Sequence, residues 1–277
     1  MKQEIDFVKF NPTQNMTILV RTKHREEEYT HIASKMMSYD NVHAEQVGFI
    51  ETPANPAAAA HLQMAGGEFC GNACMALAAF IAAERGIAHN DLLSIELEAS
   101  GTNWLIACQV KKVSEQYVCR VSMPAPQKIE QKSVKYEGED LEMAIVRYPD
   151  FVHIVIEVER FNKQVRDKAQ GLAKLLGTML GSSLIGVLLY NPALNEMAPL
   201  IYVPPLDSLI WERGCGSGTA SLGAYMSWSR KTAISAQIKQ PGGWIHVTAD
   251  CSKDEITELK IEGTVEIVAQ GRAYINV

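Results

Sequence analysis

The chain has 277 residues, 47% of them hydrophobic and 21% charged, with a net charge of −6. That length gives room for two domains of ordinary size with real cores, and the composition is that of a soluble globular protein rather than a disordered one. The mild acidity and the lack of a basic cluster exclude a protein that tracks nucleic-acid phosphates, and no run of about 18 apolar residues is present to span a membrane. Met1 to Asn15 carries no apolar signal core, so a cytoplasmic location is expected, with the six cysteines mostly reduced.

In chain order, the turn-like Asn11-Pro12-Thr13-Gln14 precedes Asn15, and Thr17–Val20 reads as a strand. Arg25–Met37 reads as an amphipathic helix: Tyr29, Ile32, Ala33 and Met36 share one face, behind a Glu-rich first turn that suits the macrodipole. Val47–Glu51 and His61–Met64 are strand candidates on either side of a connection holding Pro53 and Pro56, and the second runs into a Gly66-Gly67 turn. Strands are expected at Leu92–Leu97, Trp104–Val110 and Tyr117–Met123. The polar, Pro-containing Met123–Glu130 is the best internal boundary. Beyond it come a strand near Val152–Val158 and a helix Val165–Leu180, with Val165, Ala169, Leu172 and Leu176 on one face. Strands at Ile185–Tyr190, Leu200–Val203, Ile245–Thr248 and Thr264–Val277 complete the reading.

The most informative feature is a repeat. Phe69 opens FCGNACMALAAFIAA and Gly214 opens GCGSGTASLGAYMSW, so Cys70 and Cys215 stand in matching places about half the chain apart. Each cysteine precedes Gly and a small polar residue and then a run suited to a helix. Met75–Ile81 is apolar all round, as a helix buried on every side must be, and Ala220–Trp228 is similar. The expected fold is therefore α/β in the α+β sense: two pseudo-symmetric domains, each a curved mixed or antiparallel sheet wrapped round a central helix. The expected domains are 1–125 and 126–264, with the active site in the cleft between them.

This arrangement implies chemistry. Helix N-termini leave backbone N–H groups unpaired and attract anions, so two of them can hold one carboxylate and stabilise charge developing beside it. The same field is expected to lower a thiol from its usual value of about 8.5, making one cysteine a thiolate base while the other stays an acid. A proton removed from one face of a carbon and returned on the other inverts the centre without a cofactor. Gly71 and Gly216 let the backbone come close, and Asn72 and Ser217 are candidates to cap the helices or touch substrate. Cys74, Cys108, Cys119 and Cys251 read as structural, and the seven histidines show no metal-ligand spacing, so no metal is expected.

At these residues the chain resembles the diaminopimelate-epimerase fold family of cofactor-independent racemases, whose paired motifs are Cys-Gly-Asn and Cys-Gly-(Thr/Ser)-Gly. Within it, the chain more closely resembles the histidine racemases of staphylopine-type metallophore pathways, through NPTQNMTILV, EQVGFIE, GGEFCGNA, PLIYVPPLDSLIWE, CGSGTAS and QPGGWIHVT. It implies that Cys70 and Cys215 are the catalytic thiols and that Gly71, Asn72, Gly216 and Ser217 present donors to the substrate carboxylate. It further implies that Asn15 and Gln46 line the site, that Glu212 helps hold the substrate amino group, that the final strand 265–277 returns to the first domain, and that no cofactor is used. The substrate implied is L-histidine, with D-histidine feeding an opine-type metallophore, and a homodimer is an open expectation.

Some segments depart from the diaminopimelate pattern. Met64-Ala65-Gly66-Gly67 replaces an Asn-Ala-Asp-Gly-type segment, Asp150-Phe151-Val152-His153 lacks the asparagine of Gly-Asn-Pro-His, and Arg213-Gly214 abut Cys215 directly. These losses favour a shorter substrate, since a pocket for a distal amino-acid end needs several placed polar partners. The alternatives are an epimerase of another amino acid such as diaminopimelate, or a non-catalytic binding or thiol-redox protein of the same fold.

Overall fold

A computed structural model describes residues 2–180, 182 and 184–276. Met1 and Val277, the outer ends of the first and last expected segments, lie outside the described residues. By its contacts the chain divides into two compact units, Met1–Met123 with Glu262–Val277, and Pro124–Ile261. Among the described residues no helix is long and apolar enough to cross a membrane.

The first unit contains β1 (Lys2–Pro12), β2 (Thr17–Val20), α1 (Glu26–Met37), β3 (Gln46–Glu51), β4 (His61–Met64) and α2 (Gly71–Glu84). It continues through β5 (Leu92–Ala99), β6 (Ile106–Val113) and β7 (Gln116–Ser122), and takes in the later part of the last strand, β16 (Glu255–Asn276). The strands pair in numerical order from β1 to β7, and β16 pairs with both β7 and β1, closing the sheet on itself. Helix α2 packs against β1, β2 and β4 to β7, and Asn72 through Ala79 are all buried. Its alanines fit that position, because small side chains let strands approach a helix from every direction. Helix α1 instead buries one stripe, Tyr29, Ile32, Ala33 and Met36, against Ile5, Ile18, Val20, Phe49 and Ile275. Those are the four residues whose spacing marks the helix in the sequence.

The second unit contains β8 (Lys128–Tyr136), β9 (Glu139–Arg147), β10 (Phe151–Glu157), α3 (Lys163–Leu180), β11 (Leu184–Asn191) and β12 (Glu196–Val203). It continues with β13 (Ser208–Trp211), α4 (Gly216–Arg230), β14 (Ile234–Gln240) and β15 (Gly243–Ser252). Strands run in the order β8-β9-β10-β11-β12-β14-β15, with β13 beside β12. The β10 and β11 strands are parallel and are joined through α3. The alternation of a strand explains how β10 serves two helices: Ile154 and Ile156 pack in the cluster that receives Ala169, Leu172 and Ala173 of α3, while His153 reaches Ser221 of α4. Helix α4 packs against β9, β10, β11, β14 and β15.

Several elements differ from the sequence reading. The segment read as a polar boundary ends inside a strand, because β8 starts at Lys128 and pairs with β9 along its whole length. Its residues are largely exposed, so no apolar alternation marks them. The β1 strand escapes the period-two pattern because its pairing with β16 shifts register between Lys9 and Phe10. The strand expected from Trp104 begins at Ile106.

Candidate active site

Two loops bring the predicted residues together, one in each unit. In the first, β4 ends in a turn closed by the Gly67 N–H donating to Met64 O at 2.9 Å, with Gly67 at φ +75°. Ser100 then pins the loop, its backbone-accepting hydroxyl lying 2.9 Å from Met64 N and donating to Glu68 O at 2.8 Å. Gly101 (φ +71°) lies so close that a Cβ there would sit 2.3 Å from Phe69 N.

Cys70 follows in extended conformation and is itself the N-cap of α2: its Sγ accepts from Ala73 N at 3.4 Å. Its thiol donates to Gln46 Oε1 at 3.0 Å. Gln46 Nε2 donates to Thr17 Oγ1 at 2.7 Å, and Thr17 donates onward to Asn15 O at 3.0 Å. This row exists because Thr17 and Gln46 are register partners on the parallel strands β2 and β3. Asn15 and Asn72 are buried, and Asn15 Oδ1 has no hydrogen-bond partner among the described residues.

The second loop follows β13. Cys215 is buried and caps α4, its Sγ accepting from Gly218 N at 3.2 Å and lying 3.6 Å from Ser217 Oγ. Its backbone is held by a second glutamine: Cys215 N donates to Gln240 Oε1 at 2.7 Å, Gln240 Nε2 donates to Thr219 Oγ1 at 2.7 Å, and Thr219 donates to Cys215 O at 2.6 Å. Arg213 O accepts from Gly242 N at 2.7 Å, tying the loop to the β14–β15 turn.

Two corrections follow. The helices are capped by the cysteines, not by Asn72 and Ser217, which occupy the second position of each helix. And the Cys215 thiol is pushed well above its ordinary range rather than lowered. Burial is the largest cause, followed by the charge and hydrogen bond of the Glu212 carboxylate, and the donors at Ser217 and Gly218 offset only part of this. Burial likewise keeps Cys74 and Cys119 protonated and raises Cys108 to about 12. Among the described residues no group of His, Cys, Asp and Glu is placed to hold a metal ion.

Sequence reading missed Thr17, Gln240, Thr219 and Gly101: the first three lie in segments that carry the resemblance but nothing local gives them a role, and Gly101 lies in none of those segments. The structure puts His153 fully buried against α4, its Nδ1 2.7 Å from Ser221 Oγ, which also lies 2.9 Å from Tyr148 OH. Burial pushes the imidazole down to about 3, against a smaller opposing effect from the Ser217 backbone.

A depressed folded value means the unfolded chain takes up the proton first. The associated stability is present above about pH 6.5 and is lost as pH falls toward 3, by roughly 5 kcal/mol at the limit. Urea midpoints measured between pH 7 and 4 should fall less steeply for His153→Gln than for the natural chain. Equal slopes would remove His153 as a source of acid sensitivity.

The fold is the one shared by several racemases and epimerases. A hydroxyproline epimerase from Agrobacterium vitis superposes with a TM-score of 0.71 at 9% identity, over 99% of this chain and 93% of that one. A phenazine biosynthesis protein of the PhzF family from Bacillus anthracis gives 0.70 at 14% identity, over 99% and 100%. The chain has the fold of this class.

The model of the histidine racemase CntK N-terminal domain matches residues 4–274, and the chain belongs to that family. A histidine racemase of Staphylococcus aureus is 33% identical over 277 residues, 99% of each chain. One from Fusobacterium nucleatum subsp. nucleatum is 29% identical over 276 residues, 99% of this chain and 98% of the relative.

Proposed function

We propose that the protein interconverts L- and D-histidine without a cofactor, using Cys70 and Cys215 on opposite faces of one α-carbon. The observation that carries this is the matched placement of the two thiols, each capping its own buried helix with Sγ on the third amide of that helix. The N-terminal turns of the two helices, at Gly71 and Asn72 and at Gly216 and Ser217, serve the substrate carboxylate. There they stabilise the charge that develops when the α-proton leaves. Asn15 Oδ1 and Glu212 supply acceptors for the amino group, and Gln46 acts beside Cys70. In the direction in which Cys215, favoured as a thiol by burial and Glu212, is the acid, Cys70 is the base, and in the reverse direction the two exchange roles.

The protein works in the cytoplasm on a free amino acid, as a homodimer, and supplies D-histidine to an opine-type metallophore. The test is purified protein with L-histidine in D2O, followed by proton NMR and chiral chromatography. Loss of the Cα proton with growth of D-histidine is expected. Turnover of diaminopimelate with none of histidine would discard the substrate while keeping the thiol chemistry.

A further inference from the structure

The hydrogen bonds around Cys70 fix which way the Gln46 amide points. Thr17 has one hydroxyl proton and gives it to Asn15 O, a carbonyl that can only accept. Toward Gln46, Thr17 can therefore only accept, so Gln46 must present its NH2 to Thr17 and its carbonyl to Cys70. In this arrangement Cys70 is a thiol donating S–H to Oε1. Cys215 differs in kind, since its side-chain partners are the Glu212 carboxylate and the Ser217 hydroxyl, and its glutamine, Gln240, is spent on backbone.

A base in one direction of racemisation is the acid in the other, so Cys70 must exist as both thiol and thiolate. An amide carbonyl facing a thiolate is unfavourable, whereas an amide N–H facing it is a charge-assisted hydrogen bond. We infer that Gln46 is a positioning residue that works as a two-state amide switch, its side chain turning over as Cys70 gains or loses its proton. The inference rests on the reading of Cys70 as a catalytic thiol.

When Cys70 gives its proton to the α-carbanion, the S–H···Oε1 bond is replaced by Nε2–H···S−. Thr17 then swings its hydroxyl proton from Asn15 O to the Oε1 now facing it. Removal of an α-proton by Cys70 reverses each change, and no covalent bond other than S–H and Cα–H is made or broken. The ionisable group next to Cys70 on α2 is Cys74, one turn on, which full burial holds as a thiol throughout.

The experiment uses the full chain without substrate. Selective 15N-glutamine labelling follows the Gln46 side-chain amide by NMR across pH, its resonance identified by its disappearance in Gln46→Glu. Iodoacetamide alkylation, read at each cysteine by mass spectrometry, gives the Cys70 titration independently. The switch predicts that the Gln46 amide shifts with the Cys70 midpoint and stays flat in Cys70→Ser. It also predicts that Gln46→Glu, whose carboxylate can accept but not donate, slows Cys70 alkylation near neutral pH at least tenfold and recovers as pH rises. In Thr17→Ser the natural profile should return, since the hydroxyl is kept.

A Gln46 resonance that is flat through the Cys70 titration in the natural chain overturns the switch, with Gln46→Asn supplying the assignment if Gln46→Glu does not fold. So does an unchanged alkylation profile in Gln46→Glu. Because neither readout needs turnover, a protein that shows the coupled titration but racemises nothing would overturn the catalytic reading and leave the amide switch standing.

Discussion

Serine in place of either Cys70 or Cys215 should lower kcat/KM for racemisation by at least about 10³-fold, or roughly 4 kcal/mol of barrier. A hydroxyl occupies the same place but is far too weak an acid to be poised as an oxyanion base near neutral pH. The two variants should fail differently. A protein with one working thiol can still remove the α-proton of the enantiomer it faces and return deuterium to the same side. Each variant should therefore wash deuterium into one enantiomer of histidine without inverting it, and the two should prefer opposite enantiomers. Chiral separation followed by mass spectrometry in D2O reads this directly. If both variants exchanged the same enantiomer, or if either racemised at the natural rate, the assignment of one thiol to each face would be wrong.

The second large effect should come from a residue that touches no substrate. In Gly101→Ala the new Cβ would fall 2.3 Å from Phe69 N, 2.8 Å from Glu68 C and 3.0 Å from Phe69 Cα. All three are backbone atoms, so no rotamer change relieves the overlap, and φ +71° is itself costly for a side chain. Either the loop ahead of Cys70 moves or the fold bears the strain, an overpacking cost of about 3 kcal/mol. A displacement of the thiol by about 1 Å can cost 10²-fold in rate. Thermal denaturation and kcat together should show a loss in at least one of these. A variant natural in both would mean that the loop has slack the geometry denies. Gly271→Ala is a useful control, since nothing lies within 4 Å of its Cβ position.

The division between what the sequence discloses and what it hides follows from the kind of interaction. Cys70 and Cys215 stand out because a cysteine, a glycine and a small polar residue at the head of an apolar run are all local to one loop. Helix α1 is legible for a similar reason, its buried stripe being written at helical spacing in twelve residues. Gln46 meets Cys70 only because β2 and β3 pair parallel with Thr17 opposite Gln46, and Gln240 reaches Cys215 from the end of β14. No local pattern encodes either meeting. The rise in the Cys215 thiol was equally hidden. A helix N-terminus and a depressed thiol are a sound pairing in the open, but here burial and Glu212 outweigh it. The β8–β9 hairpin left no mark because β8 is largely exposed, and a strand without a buried face has no alternation to show.

The pairing of β16 with β1 has a consequence for the order in which the chain can mature. Lys2 lies opposite Asn276 and Pro12 opposite Val265, so the sheet around α2 is closed by residues made after the whole of the second unit. Contacts of such long sequence separation form late, because the entropy of bringing the ends together must be met before they return anything. On the ribosome, where domains tend to fold as they emerge, the first unit would wait with the edge of β1 unpaired while the second completed itself. Of the two units, the one whose synthesis begins earlier is thus the later to be finished.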